Sequence, residues 1–298
     1  MWLSQLADEA VFDAGMDREQ ILSHIERLIV EVATLESTRL SPIQRLTIRG
    51  GRDKAGHAEN VCIEAGAGQV VCIVGPTGSG KSRLLADIEC LAQDDTPTGR
   101  TILLDGELPS NDTRFCLDQK PVAQLSQNMN FVVDLSVQEF ISMHAQCRMV
   151  ADVAAQTAHV IACANRLTGE TFSADVSVTQ LSGGQARALM IADVALLSAS
   201  PIVLIDEIEN AGVDRKQALE LLITGNKIVF ISTHDPLLAL RGHLRIAVRN
   251  GGIAEILVTT DAERKNLEAI EAIDVTLSKI RDRLRQGQRI EEPIEWPQ

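Results

Sequence analysis

Two glycine-rich segments are the most informative part of this chain: Gly75-Pro76-Thr77-Gly78-Ser79-Gly80-Lys81-Ser82 and, about a hundred positions later, Leu181-Ser182-Gly183-Gly184-Gln185. The first segment fits the pattern G-x-x-x-x-G-K-[ST], in which glycines let backbone N–H groups curve closely around a triphosphate. In such a loop Lys81 reaches the β- and γ-phosphates, and the Ser82 hydroxyl binds Mg²⁺. We therefore expect residues 75–82 to hold ATP together with a magnesium ion.

The sequence on either side of this loop predicts a strand before it and a helix after it. Gln69–Val74 is a short apolar run, which is typical of a strand buried on both faces of a parallel sheet. Ser82–Leu91 follows with helical spacing of its apolar residues, and the helix N-terminus would point at the phosphates. A glycine-rich turn without a ligand is the alternative. The strand, loop, lysine and helix together favour the phosphate loop.

A second apolar strand is predicted at Pro201–Glu207, and it ends in the two carboxylates of Asp206 and Glu207. Charges in such a position are costly unless a metal ion or a water-filled site receives them. Ligands in open α/β sheets bind at the carboxyl ends of the strands. We expect Asp206 to bind Mg²⁺ and Glu207 to act as the general base for the attacking water. Solvated acids at an ordinary strand end remain the alternative.

A third apolar strand, Lys227–Thr233, leads directly into His234. If this strand lies in the same parallel sheet, His234 reaches the same edge and could contact a γ-phosphate. A single histidine at a strand end is more often structural or solvated, so this role depends on the surrounding motifs.

The segment Leu181–Gln185 predicts the start of a helix. Ser182 would cap it, and the amides of Gly183 and Gly184 would form an anion-binding N-terminus. Donated across a protein interface, such a group could stabilise a γ-phosphate. A glycine turn before a helix is the simpler interpretation for Ser-Gly-Gly in an arbitrary chain.

Taken in order, these motifs resemble those of the ATP-binding cassette (ABC) ATPases, over about residues 41–258. The resemblance identifies residues 75–82 as Walker A, Ile202–Asp206 as Walker B and Leu181–Gln185 as the family signature. It further implies that Glu207 is the catalytic glutamate, Asp214 the D-loop aspartate and His234 the switch histidine. Gln127 is similar to the Q-loop glutamine, which implies a role in catalysis and in Mg²⁺ binding.

The resemblance also implies a mechanism and a fold. Two subunits, a second copy or a related ABC subunit, would enclose each ATP head to tail, between Walker A of one and Ser182, Gly183, Gly184 and Gln185 of the other. Two-fold symmetry then creates two composite sites. The expected fold is a P-loop α/β core with a mainly parallel sheet, an antiparallel β subdomain and an inserted helical subdomain.

One departure from the family concerns the nucleotide base. Family members usually place an aromatic residue on adenine, whereas this chain has no tyrosine, and Arg49–Asn60 contains no aromatic residue. Arg52 or His57 would stack instead, or adenine would be held loosely. The D-loop segment Ala211–Asp214 also lacks the usual serine.

Composition limits the class of protein. The 298 residues are 45% hydrophobic, enough for one large α/β domain with extensions, and carry a net charge of −13, which argues against nucleic acid or an anionic membrane as main partner. The absence of an apolar run of eighteen residues and of a signal peptide pattern argues against direct membrane insertion and for a cytoplasmic protein. The six cysteines lack C-x-x-C spacing and are expected to be reduced core thiols.

Three regions are predicted along the chain: a helical extension at 1–40, the ATPase domain at 41–260 with its helical subdomain at about 128–200, and a helical extension at 261–298. Both extensions have a two-heptad apolar stripe, too short to predict a coiled coil. Each could pack on its own cassette or on the other terminal helix, or serve as a docking or dimerisation element. Antiparallel pairing of the acidic N-terminal with the basic C-terminal extension is a further hypothesis.

Two functions remain open from the sequence. The first is the energising subunit of a membrane transporter whose permease is a separate chain, which would hold this protein at the inner face of the membrane. The permease would insert near Met129, Phe131, Val132 and Val133. The second is an ABC-type ATPase that remodels or activates a soluble client protein. A DNA-repair or chromosome ATPase is disfavoured, since basic surfaces and a long coiled-coil insertion are missing from the sequence.

Overall fold

The computed structural model describes residues 43–115, 120–126, 131–207 and 213–294, together with residues 23, 24, 27 and 296. The chain comprises two compact units, Met1–Pro42 and Ile43–Gln298. The sheets and helices below belong to the second unit. The predicted N-terminal extension at 1–40 and Gln127 lie outside the described residues.

The described strands form two sheets. The strands are β1 (Arg45–Arg49), β2 (Cys62–Gly66), β3 (Val70–Val74), β4 (Thr101–Leu104), β5 (Val122–Leu125), β6 (Ile202–Asp206), β7 (Ile228–Ser232), β8 (Leu244–Arg249) and β9 (Gly252–Val258). One sheet has the order β2-β1-β4 and is antiparallel; the other has the order β5-β6-β7-β3-β8-β9 and is parallel except for β9. This mixed architecture confirms the predicted α/β fold with an antiparallel β subdomain.

The helices in the described ranges are found between these strands and after them. They are α1 (Lys81–Glu89), α2 (Asn111–Phe115), α3 (Val137–Cys147), α4 (Val153–Leu167), α5 (Gly183–Leu196), α6 (Arg215–Thr224), α7 (Pro236–Arg241) and α8 (Asp261–Arg285). Helices α3, α4 and α5 pack together around their own apolar cluster. The longest of these helices, α8, is charged and amphipathic, and none in the described part of the chain could span a bilayer.

Strand β3 shows why the central strands read as continuous apolar runs. Val71 and Ile73 face the cluster shared with α1 and the antiparallel sheet. Val70 and Cys72 face the opposite cluster, shared with α5 and α6. Both faces of the sheet are therefore covered, which is the environment that such an apolar strand requires. The same burial applies to β6 and β7.

Helix starts follow the capping signals of the sequence. Ser136 caps α3, Ser182 caps α5 and Thr260 caps α8, and each forms a capping box with the Glu or Gln three residues later. Because the serine or threonine oxygen accepts one free N–H and the partner side chain another, these positions fix where each helix begins.

The prediction of core thiols was wrong for part of the set. Cys72 and Cys163 are buried, but Cys62, Cys90 and Cys147 are exposed, and Cys116 lies outside the described residues. Cys62 lies at the first position of β2, a strand in which exposed and buried residues alternate. Cys62 is exposed because exposed and buried side chains alternate along β2, and its residue type does not change this pattern.

Candidate nucleotide-binding site

The phosphate loop connects β3 to α1 in a backbone that only glycine can adopt at two key positions. Gly75 has φ 152° and Gly80 has φ 112°. A Cβ atom on Gly75 would lie 2.4 Å from the carbonyl oxygen of Val248, and one on Gly80 would lie 2.8 Å from Cα of Gly251. The loop is thus packed against the β8–β9 turn, where Gly251 N donates to the Ser79 carbonyl at 2.6 Å. This packing preorganises the loop.

Lys81 is almost fully buried at the centre of the loop. Its Nζ donates to the carbonyl oxygens of Gly75 at 2.9 Å and Pro76 at 3.4 Å, and lies 2.9 Å from Nε2 of His234. The ammonium group is therefore held where the loop would enclose phosphate oxygens. A positive charge fixed there suits a triphosphate.

The residues beside Lys81 fit a magnesium–phosphate group. Ser82 Oγ lies 3.4 Å from Oδ2 of Asp206, which brings two oxygen ligands of the type that Mg²⁺ accepts to one point. The Ser79 hydroxyl is buried and has no hydrogen-bond partner among the described residues. A buried hydroxyl in a loop of this shape can donate to a phosphate oxygen, so the donor set fits ATP and Mg²⁺.

The ends of β6 and β7 bring Glu207 and His234 together. Asp206 pairs with Ser232 in the parallel register, and Glu207 N donates to the Ser232 carbonyl at 3.0 Å. Glu207 has φ 50°, an uncommon conformation for a residue with a side chain, which turns the chain sharply at the strand end. Its Oε1 lies 3.6 Å from Nε2 of His234. Lys81, Glu207 and His234 thus converge on one point.

Arg187 belongs to this site but was missed by the sequence analysis. It lies on α5 and is buried, and its Nη2 donates to the carbonyl oxygens of Asp206 at 2.7 Å and Ser126 at 3.1 Å. Ser126 directly precedes Gln127. The only sequence signal was an arginine on a helix whose neighbours are mostly alanine, leucine and isoleucine. It fixes the signature helix to the ends of β5 and β6.

The signature segment, residues 181–185, is exposed at Ser182 and Gly183 and half-buried at its other residues. Ser182 Oγ accepts from Gln185 N at 3.4 Å, and Gln185 Oε1 accepts from Ser182 N at 2.9 Å. Gln185 Nε2 donates to the Glu170 carbonyl at 3.2 Å, which anchors the start of the helix. A Cβ atom on Gly183 would have no neighbour within 4 Å. The helix N-terminus is therefore open to a ligand from outside this subunit.

A short hairpin, residues 52–58, lies against the phosphate loop. It contains Arg52 and His57, the two residues that the sequence suggested for stacking on adenine. Asp53 Oδ1 accepts from the backbone N–H groups of Ala55 and His57, each at 2.8 Å. The His57 N–H is the main reason that the pKa of the Asp53 carboxyl is below its usual value. Lys54, which the sequence analysis did not consider, donates from Nζ to the Gly78 carbonyl at 3.0 Å. His57 and Arg52 remain exposed beside it.

Asp214 is also exposed, at the start of α6. Its Oδ1 accepts from Gln217 N at 3.0 Å, so it caps this helix. Its own backbone N–H donates to the Leu167 carbonyl at 2.7 Å, which joins this segment to the end of α4.

Comparisons with known proteins agree with this geometry. The family model described as ABC transporter matches residues 58–210. An uncharacterized ABC transporter ATP-binding protein of Methanocaldococcus jannaschii is 50% identical over 251 residues, which are 83% of this chain and 95% of that protein.

Two solved structures share the fold. One is the cbiO1 protein of Clostridium perfringens, described as part of the ABC transporter complex cbiONQ, with 19% identity and a TM-score of 0.55 over 79% of this chain and 96% of that one. The other is a dimeric post-hydrolysis state of an ATP-binding cassette bound to ADP and Pi, with 22% identity and a TM-score of 0.54 over 72% of this chain and 99% of that one.

Proposed function

We propose that this chain, which belongs to the family of ABC transporter ATP-binding proteins, hydrolyses ATP in a nucleotide-enclosing dimer and thereby drives a separate permease. The observation that supports hydrolysis most directly is the convergence of three side chains. Nε2 of His234 lies 2.9 Å from Nζ of Lys81 and 3.6 Å from Oε1 of Glu207. A fixed positive charge, a carboxylate base and an imidazole at one strand edge are the groups that phosphoryl transfer to water needs.

The roles of these residues follow from their chemistry. Lys81 and the backbone N–H groups of residues 75–82 bind the phosphates, and Ser82 with Asp206 would hold Mg²⁺, which neutralises developing charge when bound. Glu207 orients the attacking water and accepts its proton. His234 lies between Glu207 and Lys81, where its ring can donate to a γ-phosphate oxygen. Gln127 joins this set in our proposal through its family position.

Dimerisation is proposed from the exposed signature segment. Gly183 and Gly184 present backbone N–H groups at the start of α5, beside the exposed Ser182, yet the hydrogen bonds of the described residues do not connect this segment to the phosphate loop of the same subunit. A second subunit arranged head to tail would place them against the γ-phosphate of a neighbour. The dimeric solved structure supports this arrangement by analogy of fold.

The partner we propose is a permease encoded as a separate chain. Val132 and Val133 are exposed apolar residues just before α3, and Met143 and Met149 are exposed along and after it. Exposed apolar side chains of this kind suit contact with a hydrophobic segment of another protein. The net charge of −13 disfavours nucleic acid. A soluble client protein is the other partner class that the experiment below distinguishes.

The test uses a variant that binds ATP without hydrolysing it. Glu207→Gln keeps the shape of the side chain but removes the base, so we expect ATP-dependent dimers and loss of turnover. Tagged Glu207→Gln, purified from its native cells with Mg-ATP, should then carry a polytopic membrane protein in near-equal amount. The control is the double variant Lys81→Ala/Glu207→Gln, which cannot bind ATP productively and should lose the dimer. Recovery of a soluble protein in place of a permease would contradict the transport role while leaving the ATPase intact.

A further inference from the structure

Arg215 forms a bridge between two acidic residues that are far apart in the sequence. It is the first residue of α6, immediately after Asp214. Its Nη1 forms an ion pair with Oδ2 of Asp235, and its Nη2 lies 3.0 Å from Oδ2 of Asp274. Asp235 follows His234, whereas Asp274 lies in the middle of α8. One guanidinium group therefore connects the start of α6, the segment after β7 and the C-terminal helix.

Both oxygens of the buried Asp235 carboxylate are used. Oδ1 accepts from Leu237 N at 2.8 Å and caps α7, while Oδ2 receives Arg215. The backbone N–H of Asp235 donates to Oγ1 of Thr233 at 2.9 Å. Residues 233–235, which we call the switch loop, are thus held on both sides of His234. Because His234 contacts Lys81 and Glu207, the position of the switch loop sets the position of the imidazole.

Three acidic side chains of helix α8 form ion pairs with arginines elsewhere in the domain. No residue of α8 is fully buried. Its acidic residues Glu263, Glu271 and Asp274 pair with Arg245, Arg241 and Arg215, respectively. The spacing of eight and three residues places these acids along one face of the helix. Ion pairs of this partly exposed kind are individually weak, so α8 can be displaced at low cost compared with a helix of the core.

We propose that Arg215 is a positioning residue for His234 and that α8, through Asp274, controls how firmly it holds the switch loop. With Asp274 in place, the guanidinium is fixed at both ends and the switch loop is held for catalysis. When a partner displaces α8, Arg215 keeps Asp235 but loses its second anchor, and the switch loop loosens. The C-terminal helix is then the place where a partner protein regulates ATP turnover. This inference rests on the proposed ATPase function.

The test compares two variants that each remove one ion pair of α8 from the full-length protein. Asp274→Asn removes the pair that leads to the switch loop. Glu263→Gln removes the ion pair with Arg245, in β8. It keeps the capping box, because the glutamine oxygen can also accept the hydrogen bond from Thr260 N. We expect kcat of Asp274→Asn to fall about fivefold with KM for ATP unchanged, since the switch loop matters chiefly in the transition state. Glu263→Gln should keep its kcat, and Asp274→Glu should restore most of the loss.

A second measurement does not depend on hydrolysis. Backbone amides of Asp235 and of residues 237–239 should exchange with solvent roughly tenfold faster in nucleotide-free Asp274→Asn than in Glu263→Gln. Equal exchange and equal kcat in the two variants would overturn the inference, because α8 would then act only on general stability. A wild-type protein without ATP turnover would contradict the proposed function, and the exchange rates would still decide the role of Asp274.

A double variant separates positioning by Arg215 from other effects of its removal. Arg215→Gln should lower kcat more than Asp274→Asn does, because it frees Asp235 as well. Arg215→Gln/Asp274→Asn should be no slower than Arg215→Gln alone, since both changes act through the same bridge. If the two substitutions lower kcat additively, Arg215 and Asp274 do not act through the same bridge.

Discussion

The Nη2 atom of Arg187 lies 2.7 Å from the carbonyl oxygen of Asp206. This single contact joins the helix that begins with the signature segment to the strand that ends in the acidic pair. The same nitrogen reaches the carbonyl of Ser126, 3.1 Å away. A displacement of α5 would therefore act directly on the ends of β5 and β6, next to Asp206 and Glu207.

Replacing Arg187 tests this connection. We expect Arg187→Met to lower the free energy of unfolding by about 1 to 3 kcal/mol, because the carbonyl groups of Asp206 and Ser126 lose the hydrogen bonds from the buried guanidinium group. ATP turnover should fall more than ATP affinity, since the strand ends shift relative to the phosphate loop. Urea unfolding and steady-state kinetics measure the two effects. Arg187→Lys can reach one carbonyl, so its free energy of unfolding and its kcat should lie between those of the wild type and Arg187→Met. Wild-type stability and kcat in Arg187→Met would contradict this role of Arg187.

Lys81→Ala should abolish productive ATP binding. The loss of a buried ammonium at the phosphates corresponds to roughly 3 kcal/mol, or on the order of a hundredfold in Kd. The matched control is Lys54→Ala, because Lys54 also contacts the loop, at the Gly78 carbonyl, but from the exposed side. That variant should change Kd by no more than about threefold. Isothermal titration with ATP provides both values, and normal ATP turnover in Lys81→Ala would refute the phosphate-loop assignment.

Gly183→Asp tests the composite site in the proposed dimer. A Cβ atom at Gly183 meets nothing within 4 Å in the single subunit, and an acid at the first turn of α5 suits the helix dipole, so the fold should be kept. Across the interface, however, its carboxylate would repel the γ-phosphate. We expect turnover to fall by on the order of tenfold or more while ATP still binds.

The control for that variant is Gly169→Asp, since a Cβ atom at Gly169 also has no neighbour within 4 Å. It should retain wild-type turnover and ATP-dependent dimers by size-exclusion chromatography. Equal activity of the two variants would argue against a γ-phosphate near Gly183.

Arg100 is the centre of a buried ion cluster, and we expect its replacement to lower stability strongly. Arg100 is completely buried and pairs with Glu59 at 2.5 Å and Asp87 at 2.9 Å, while its Nη2 also donates to the Gly251 carbonyl. Arg100→Met leaves two buried carboxylates without their cation, which should cost about 3 to 5 kcal/mol in the free energy of unfolding. Chemical denaturation measures this value. Arg100→Met/Glu59→Gln/Asp87→Asn should recover part of the loss, and a cost below about 1 kcal/mol for Arg100→Met would contradict the account.

The lowered pKa of Lys227 leads us to expect that the free energy of unfolding depends on pH. Burial lowers the pKa of its ammonium group from 10.5 to about 8, although Nζ donates to the carbonyls of Ser198 and Ser200. Between these pH values the unfolded chain binds more protons than the folded one, so this group makes stability rise with pH. Between pH 7.5 and pH 10, the wild type should gain about 2 kcal/mol relative to Lys227→Met. Parallel urea titrations of both proteins would show this, and equal slopes would contradict it.

The phosphate loop and the acidic strand end were predictable because each is specified by residues that are neighbours in the chain. Glycines at 75 and 80 permit the loop backbone, and the apolar run before Asp206 marks a buried strand. Capping boxes at Ser136, Ser182 and Thr260 likewise involve residues three positions apart. Local sequence was sufficient wherever the physical cause of the structure is itself local.

Burial at the sheet edges and the contacts of long charged side chains were decided by the tertiary structure. From the sequence, no role was assigned to Arg187, Arg215 or Lys54. Each acquires its partner from a segment that is 19 or more residues away, such as Asp206 for Arg187 and Gly78 for Lys54. A flexible side chain can reach many partners, and only the packed arrangement of strands and helices selects one. The residues of the phosphate loop are therefore specified by the local sequence. The contacts that connect the site to α5 and α8 form only when the chain is folded.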